Sequence, residues 1–586
     1  MKRISKDIWA VFKLLYQNKG RFSINALLLQ LIMIFISSTY LILLFNMMLK
    51  VAGQSQLTIN NWTEIVSHPA SVILLIIFIL SVAFLIYVEF SLLVYMVYAG
   101  FDRQIIPFKS IFKNAFVNVR KLIGVPVIFF VIYLMLMIPI ANLGLSSVLT
   151  KNIYIPKFLT EELMKTTKGI IIYGTFMIAV FILNFKLIFT LPLTILNRQS
   201  LFKNMRLSWQ ITKRNKFRLV IEIVILELII AILTLIISGA TYLAICVDEE
   251  GDKFLVSSIL FVVLKSSLFF YYLFTKLSLI SVLVLHLKQE NVLDQPGLEF
   301  KYPKPKRKSR FFIISMVLAV TCFIGYNMYL LYNNTINTNI SIIGHRGFED
   351  KGVENSIPSL KAAAKANVEY VELDTIMTKD KQFVVSHDNN LKRLTGVNKN
   401  ISESNFKDVV GLKMRQNGHE AKLVSLDEFI ETAKQSNVKL LVELKPHGKE
   451  PADYTQRVID ILKKHGVEHQ YRVMSLDYDV MTKLKKEAPY LKCGYIIPLQ
   501  FGHFKETSLD FFVIEDFSYS PRLVNQAHLE NKEVYTWTIN GEEDLTKYLQ
   551  TNVDGIITDD PALADQIKEE KKDETYFDRS IRILFE

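Results

Sequence analysis

Two histidines, three carboxylates, an arginine and a lysine stand at the ends of successive β-patterned runs in the C-terminal part of this 586-residue chain. The first run closes on Gly344-His345-Arg346-Gly347, the next on Glu372-Leu373-Asp374, then come His387-Asp388 and Glu443-Leu444-Lys445. A spacing of two puts Glu372 and Asp374 on one face of a strand. With Glu443 they form an all-oxygen donor set, which suits Ca2+ or Mg2+ rather than zinc. Such an ion binds a phosphoryl oxygen and offsets charge on a phosphodiester. Arg346 and Lys445 can serve the same charge. His345 and His387 at one site can divide general-acid and general-base work near neutral pH. Alone, a strand-end histidine is more often structural, and a Glu-x-Asp pair is often a solvated strand face. Their joint appearance at consecutive strand ends carries the reading.

Bringing these ends together requires a barrel. Short β-rich runs alternate with helical patterns from Ile340 to about Lys568, the rhythm of βα units on a parallel sheet. Eight runs qualify: Ser341–Gly344, Tyr370–Asp374, Lys439–Glu443, Arg472–Leu476, Cys493–Ile497, Phe511–Glu515, Val534–Ile539 and Gly555–Thr558. They predict a TIM (β/α)8 barrel whose chemistry lies at the C-terminal face. A ninth run, Phe383–His387, is too close to its predecessor for a helical crossover and reads as the return arm of a hairpin. A turn at Lys379–Gln382 sets Thr378 against Phe383 and Asp374 against His387, which brings His387 to the barrel mouth.

The N-terminal half has another composition. Up to about Tyr332 the chain is dominated by Leu, Ile, Phe and Val, and 51 % of the whole sequence is hydrophobic. A bilayer core takes roughly 20 apolar residues per helix. Seven stretches qualify, near 23–50, 71–99, 122–145, 168–196, 218–247, 255–287 and 311–332. The first is too long for a cleavable signal peptide. Basic residues fill the segment before the first span and the second, fourth and sixth loops, the last carrying Lys301, Lys304, Lys306, Arg307, Lys308 and Arg310. The first loop has almost none, the third mixes Lys151, Lys157 and Lys165 with Glu161 and Glu162, and the fifth is acidic (Asp248, Glu249, Glu250, Asp252). The positive-inside rule then puts the N-terminus in the cytoplasm, and seven spans put everything after Tyr332 outside. Those loops also account for the net charge of +12, so nucleic acid is not a partner. Cys246, Cys322 and Cys493 define no disulfide framework. Glu89, Lys186, Glu227 and Lys276 share a depth and predict ion pairing inside the bundle, or a polar cavity for a lipid headgroup. Lys265, nearer the outer face, can snorkel or meet a phosphate.

From about Ile342 to Pro561 the sequence resembles the glycerophosphodiester phosphodiesterase family. Ile343-Gly344-His345-Arg346-Gly347 looks like its opening motif, and Glu354-Asn355 matches its Glu-Asn pair, with Val353 where Pro is usual. Glu372-Leu373-Asp374, Thr378-Lys379-Asp380, His387-Asp388, Glu443-Leu444-Lys445, Trp537-Thr538-Ile539-Asn540 and Thr558-Asp559-Asp560-Pro561 follow in order, with Lys381 replacing a turn glycine. The resemblance implies hydrolysis of glycerophosphodiesters to glycerol 3-phosphate and an alcohol. It makes His345 and His387 the acid–base pair and gives the metal to Glu372, Asp374 and Glu443. Arg346 and Lys445 would contact phosphate, Trp537 would line the glycerol pocket, and Glu354 and Asn355 would support the site. Either histidine fits either part. The glycerol 2-hydroxyl is a ready internal nucleophile, and direct attack by water is the other route. The expected layout is a six-helix membrane domain over 1–310, a seventh helix and linker over 311–340, the barrel over 341–568 and a charged tail over 569–586. An insertion at about 389–423 would cap the mouth. The helical half resembles the membrane domain of some bacterial members, with membrane lipids as its surroundings; an enzyme that draws lipid- or lipoteichoic-acid-derived glycerophosphate to the barrel is a further reading, which differs in substrate and not in chemistry. A flippase-type protein with an accessory barrel is the competing reading, and the complete set of site residues argues against it.

Overall fold

The computed structural model describes residues 2–104, 106–122, 124–137, 147, 149–150, 154–164, 166–246, 254–293 and 310–585. The chain forms two compact units: Met1–Ala52 with Val66–Tyr332 and Thr575–Phe585, and Gly53–Ile65 with Asn333–Glu574.

The first unit is helical. Five helices are long and apolar enough to cross a membrane: Lys2–Val51, Pro69–Phe101, Thr167–Leu196, Leu201–Thr241 and Phe254–Gln289. They match the first, second, fourth, fifth and sixth expected spans. The third and seventh appear as shorter apolar helices, Val125–Leu136 and Val317–Asn333. Residues 138–146, the acidic loop at Asp248–Asp252, Lys151, Lys165 and the basic run from Lys301 to Lys308 lie outside the described residues. Among the described residues, Glu89, Lys186, Glu227 and Lys276 are held by separate sets of contacts. Lys276 Nζ donates to Glu89 Oε1 at 2.6 Å, and Ser147 Oγ to Glu89 Oε2 at 2.5 Å. Glu227 instead accepts from Ser278 Oγ at 3.0 Å, while Lys186 and Lys265 lie over the rings of Trp209 and Phe261. A second buried network escaped the sequence reading. Arg218 Nε donates to Asp7 Oδ2 at 3.1 Å and Glu222 Oε1 at 2.9 Å, and Glu222 Oε2 lies 2.6 Å from His286 Nε2. Pairing of this kind is what makes buried charge tolerable. The expected charged tail contains a further helix, Tyr576–Phe585. Its apolar side carries Tyr576, Ile583 and Leu584, which pack with Phe254, Phe261 and Leu331. Arg579 also donates to the Leu331 carbonyl at 3.0 Å.

The second unit is built on a closed barrel. Its strands in chain order are β1 (Gln56–Thr58), β2 (Ser341–Gly344), β3 (Tyr370–Met377), β4 (Phe383–Val385), β5 (Lys413–Gln416), β6 (His419–Lys422), β7 (Lys439–Leu444), β8 (Arg472–Ser475), β9 (Lys492–Ile497), β10 (Gln500–Gly502), β11 (Phe511–Glu515), β12 (Glu533–Trp537) and β13 (Gly555–Thr558). Eight of them run parallel in the order β2-β13-β12-β11-β9-β8-β7-β3, and a β2–β3 pairing closes the ring. Side chains alternate between the two faces of a strand. The inner face therefore begins as an apolar plug of Ile343, Tyr370, Leu441, Met474, Phe511 and Tyr535. Arg472 lies over the rings of Tyr370, Phe511 and Tyr535 and donates to Glu533 at 2.6 Å. Two residues further along the same inward rows stand His345, Glu372, Glu443 and Trp537, and two beyond Glu372 stands Asp374. Serine caps help to start the surrounding helices: Ser356 accepts from Ser359 N, Ser425 from Glu428 N and Ser520 from Leu523 N.

The β3–β4 hairpin exists, but its register differs by one from the expected pairing. Met377 faces Phe383, Ile376 faces Val384 and Thr375 faces Val385. Thr378 is drawn into the turn, where its N–H donates to the Gln382 carbonyl at 2.8 Å and its hydroxyl accepts from Gln382 N at 3.0 Å. Lys381, which stands where the resembled family has a turn glycine, takes the left-handed φ of +66°. The ladder consequently ends with Ser386 N donating to the Asp374 carbonyl at 3.0 Å, not with His387 opposite Asp374.

Candidate active site

His345, Arg346, Glu372, His387, Glu443 and Lys445 line one pocket, with Met474, Leu476, Ile496, Val513, Trp537 and Ile557 forming its apolar wall. Asp374 joins them from β3, where it lies in direct register with Glu443 of β7. Every catalytic, metal and substrate residue expected from the sequence is thus gathered at this mouth.

The turn after β2 is strained. Arg346 has φ +53°, Gly347 has φ +96°, and a Cβ on Gly347 would lie 2.5 Å from Ser359 Oγ. A left-handed non-glycine residue costs on the order of 1 kcal/mol and persists only where its surroundings hold it. Here Arg346 N donates to Glu372 Oε2 at 2.8 Å, NH1 to Glu354 Oε1 at 3.2 Å, and Nε lies 3.4 Å from Asp374 Oδ2. The turn therefore aims one arginine at the carboxylates.

Glu372, Asp374 and Glu443 each offer an oxygen within 4.8 Å of the other two. Burial, then the charge of Asp374, pushes Glu372 up to about 8. Burial also raises Glu443 to about 7, with Asp374 adding to it and Lys445 opposing. Asp374 is held well below the usual carboxylate range despite burial, by Lys445, His387, Arg346 and the Asn355 hydrogen bond. Lys445 Nζ is 3.0 Å from Asp374 Oδ1, and Asn355 Nδ2 donates to Oδ2 at 2.8 Å. Two carboxyls with raised pKa values crowded against an ionised third fit a hard divalent ion, whose charge would take the place of the protons.

Each histidine is oriented by its own carboxylate. His345 Nδ1 is 2.6 Å from Asp559 Oδ1, and Asn540 Nδ2 donates to Asp559 Oδ2 at 2.6 Å. His387 Nδ1 is 2.8 Å from Asp388 Oδ1, and Arg393 Nε donates to Asp388 Oδ2 at 2.6 Å. Both rings thus keep Nε2 for chemistry. Burial and Arg346 press the His345 pKa down, but the charge and hydrogen bond of Asp559, with Glu372, outweigh them and raise it. For His387, burial with Arg346 and Lys445 prevails over Asp374 and Asp388, and its pKa is lowered.

The insertion contributes to this scaffold. Arg393 NH1 and NH2 reach Glu354 Oε2 and Oε1 at 2.8 and 2.6 Å, and Gln416 Nε2 reaches Glu354 Oε2 at 3.0 Å. Glu354 is therefore the hub between the β2 turn and the insertion. Leu391, Ile401, Val409, Met414 and Leu423 pack with Val353, Ile376 and Val384 as a small core of their own. Sequence reasoning gave no role to Asp388, Arg393, Gln416, Asn540 or Asp559. Three of them stand inside quoted motifs, so the signal was present. The other two, Arg393 and Gln416, lie in a variable-looking insertion without one.

Comparison with known proteins relates both halves of the chain to glycerophosphoryl diester phosphodiesterases. The family profile described as the membrane domain of glycerophosphoryl diester phosphodiesterase matches residues 8–327, and that of the glycerophosphoryl diester phosphodiesterase family matches residues 345–563. A glycerophosphodiester phosphodiesterase of Caldanaerobacter subterraneus subsp. tengcongensis is 27 % identical over 231 residues, 38 % of this chain and 94 % of that protein. Human lysophospholipase D GDPD1 is 27 % identical over 265 residues, 37 % of this chain and 83 % of its own. The crystal structure of an Oleispira antarctica phosphodiesterase in complex with sn-glycerol-3-phosphate covers 39 % of this chain and 96 % of its own, at 22 % identity and a TM-score of 0.35.

Proposed function

Because the chain belongs to the glycerophosphoryl diester phosphodiesterase family through its membrane domain, we propose that its barrel hydrolyses glycerophosphodiesters to glycerol 3-phosphate and an alcohol at the outer membrane–water face. The observation that carries this reading is the convergence of two carboxylate-oriented histidines, three carboxylates, Arg346 and Lys445 on one pocket.

Glu372, Asp374 and Glu443 would hold a divalent cation, Ca2+ or Mg2+, which when bound supplies charge stabilisation to the phosphoryl oxygens. Arg346 and Lys445 stand beside the same oxygens and add to it. Trp537, with Met474 and Ile496, gives the glycerol carbons an apolar wall. His387, kept neutral by its lowered pKa, is the base that takes the proton of the glycerol 2-hydroxyl. That oxygen attacks phosphorus while His345, protonated by virtue of its raised pKa, gives its proton to the leaving alkoxide. Water then opens the cyclic phosphate with the two histidines in reversed roles, leaving glycerol 3-phosphate. Internal attack supplies proximity that free water lacks.

The test uses the purified full chain with glycerophosphoethanolamine and with its analogue lacking the 2-hydroxyl. Release of glycerol 3-phosphate from the first and no turnover of the second are expected. Equal turnover of both would replace internal attack by direct attack of water, and no turnover of either would remove the hydrolytic reading.

A further inference from the structure

The barrel unit takes one strand from a distant part of the sequence. β1 lies antiparallel to β10, with Gln56 opposite Gly502, Leu57 opposite Phe501 and Thr58 opposite Gln500. His503 N donates to the Ser55 carbonyl at 3.0 Å, and Asn60 Nδ2 to the Tyr495 hydroxyl at 3.1 Å. β10 follows directly on the C-terminal end of β9, so the added strand stands on the rim that carries the pocket.

Alternation sorts this two-stranded ribbon into faces. Gln56, Thr58 and Gln500 are buried. On the other face Leu57 is half-buried and Phe501 exposed. Ile59 continues that row and Trp62 follows it, and these two are 46 % and 53 % exposed. The exposed pocket residue Leu476 reaches the same rim. An apolar ridge on a catalytic rim calls for an apolar occupant.

Chain connectivity indicates which one. One membrane-length helix ends at Val51 and the next begins at Pro69. Leu57 is six residues beyond the first and Trp62 seven before the second. At about 3.6 Å per residue at most, neither can leave the bilayer surface by more than about 25 Å. No residue from Gly53 to Thr63 is charged, and an exposed tryptophan beside branched apolar residues suits the lipid–water interface.

We infer that Leu57, Ile59, Trp62 and Phe501 form a lipid-docking ridge, which seats the barrel mouth at a bilayer surface and gives it access to diesters whose leaving alcohol is anchored in lipid. The inference rests on the phosphodiesterase reading above. Ile59 and Trp62 lie outside the β1 ladder, so they can be changed without removing its hydrogen bonds. In phosphatidylcholine–phosphatidylglycerol vesicles holding the full chain, the double variant Ile59→Asp/Trp62→Asp is expected to turn over glycerophospho-N-palmitoylethanolamine about tenfold more slowly. Its turnover of soluble glycerophosphoethanolamine should stay within about twofold, since that substrate needs no apolar contact. A polarity-sensitive fluorophore on Ile59→Cys, with Cys246, Cys322 and Cys493 replaced by alanine, should be quenched by nitroxide-labelled lipid. An unquenched probe, or equal loss on both substrates, overturns the ridge. Failure of the unaltered chain to cleave glycerophosphoethanolamine would instead overturn the phosphodiesterase reading, and the quenching would then decide the ridge by itself.

Discussion

At the residue scale, the two histidines are alike in sequence and unlike in environment. His345 is paired with Asp559 and its pKa is raised; His387 is paired with Asp388, faces Arg346 and Lys445, and its pKa is lowered. Each alanine variant should lose about 10²–10⁴-fold in rate with an unchanged circular dichroism spectrum. The pH profile separates their parts. A base with a lowered pKa sets an acid limb below the usual histidine value of 6.5, where it gains a proton and activity falls. An acid with a raised pKa sets an alkaline limb above 6.5, where it loses its proton. His387→Ala should therefore flatten the acid limb of kcat/KM and His345→Ala the alkaline limb, and exchanged limbs would exchange the roles. Arg393 touches none of the reacting groups but holds Asp388 and Glu354 together. Arg393→Ala should lower kcat about tenfold or more with little change in KM, because it loosens the His387 ring and not the substrate pocket. Arg393→Lys should recover only part, since an ammonium cannot span both carboxylates as the guanidinium does.

At the scale of elements, β3 and β7 decide what the pocket can hold. Inward alternation on β3 presents Glu372 and Asp374, and the parallel register adds Glu443 beside Asp374. The raised values of Glu372 and Glu443, about 8 and about 7 against an ordinary 4.5, make these groups proton-binding in the folded, cation-free barrel. Folded pKa values above the unfolded ones mean stability that is present below pH 4.5 and lost as pH rises towards 8. In chelator, the melting temperature of the barrel should fall between pH 5 and 8. With Ca2+ or Mg2+ the fall should be much smaller, and the stabilisation should grow with pH as protons cease to compete. A fall that is the same with and without the cation would mean that the three carboxylates do not hold it. Much of this was legible in the sequence. The eight barrel strands and the hairpin follow from short β-rich runs and from the length of the helical runs between them, and the shared face of Glu372 and Asp374 follows from their spacing of two. The hairpin register did not, because it depends on whether Thr378 pairs across the ladder or bonds back to Gln382. Patterning is blind to that choice, since each face of β3 and β4 is buried and a slip of one residue exposes nothing. Arg393 and Gln416 were equally out of reach, because their partner Glu354 is distant in sequence and only the folded insertion brings them to it.

At the scale of the whole molecule, the question is on which side of the membrane the barrel works. Two lines of argument bear on it. Charge is the first: the basic segments precede the first span and follow the even-numbered spans, and from the positive-inside rule we expect them in the cytoplasm and Asn333 onward outside. Parity is the second: Gly53–Ile65 belongs to the same compact unit as Asn333–Glu574, so the chain must cross the membrane an even number of times between Val66 and Tyr332. Among the described residues of that stretch, Pro69–Phe101, Thr167–Leu196, Leu201–Thr241 and Phe254–Gln289 are long and apolar enough to cross, an even four, and the shorter apolar helices Val125–Leu136 and Val317–Asn333 keep the number even when both are counted. A barrel in the cytoplasm would need the loop after the first helix to be there too, against the flanking basic segment Lys2-Arg3 through Lys19-Gly20-Arg21. We therefore expect protease added to intact protoplasts to remove an epitope in the barrel, at Lys505 for example, while an epitope at the N-terminus survives until lysis. A cysteine introduced as Asn60→Cys should react with a membrane-impermeant maleimide under the same conditions, because it travels with the barrel. Protection of both sites until lysis would place the barrel inside. Reaction at Asn60→Cys with a protected barrel would break the parity, and with it the pairing of β1 and β10 on which the count of crossings depends.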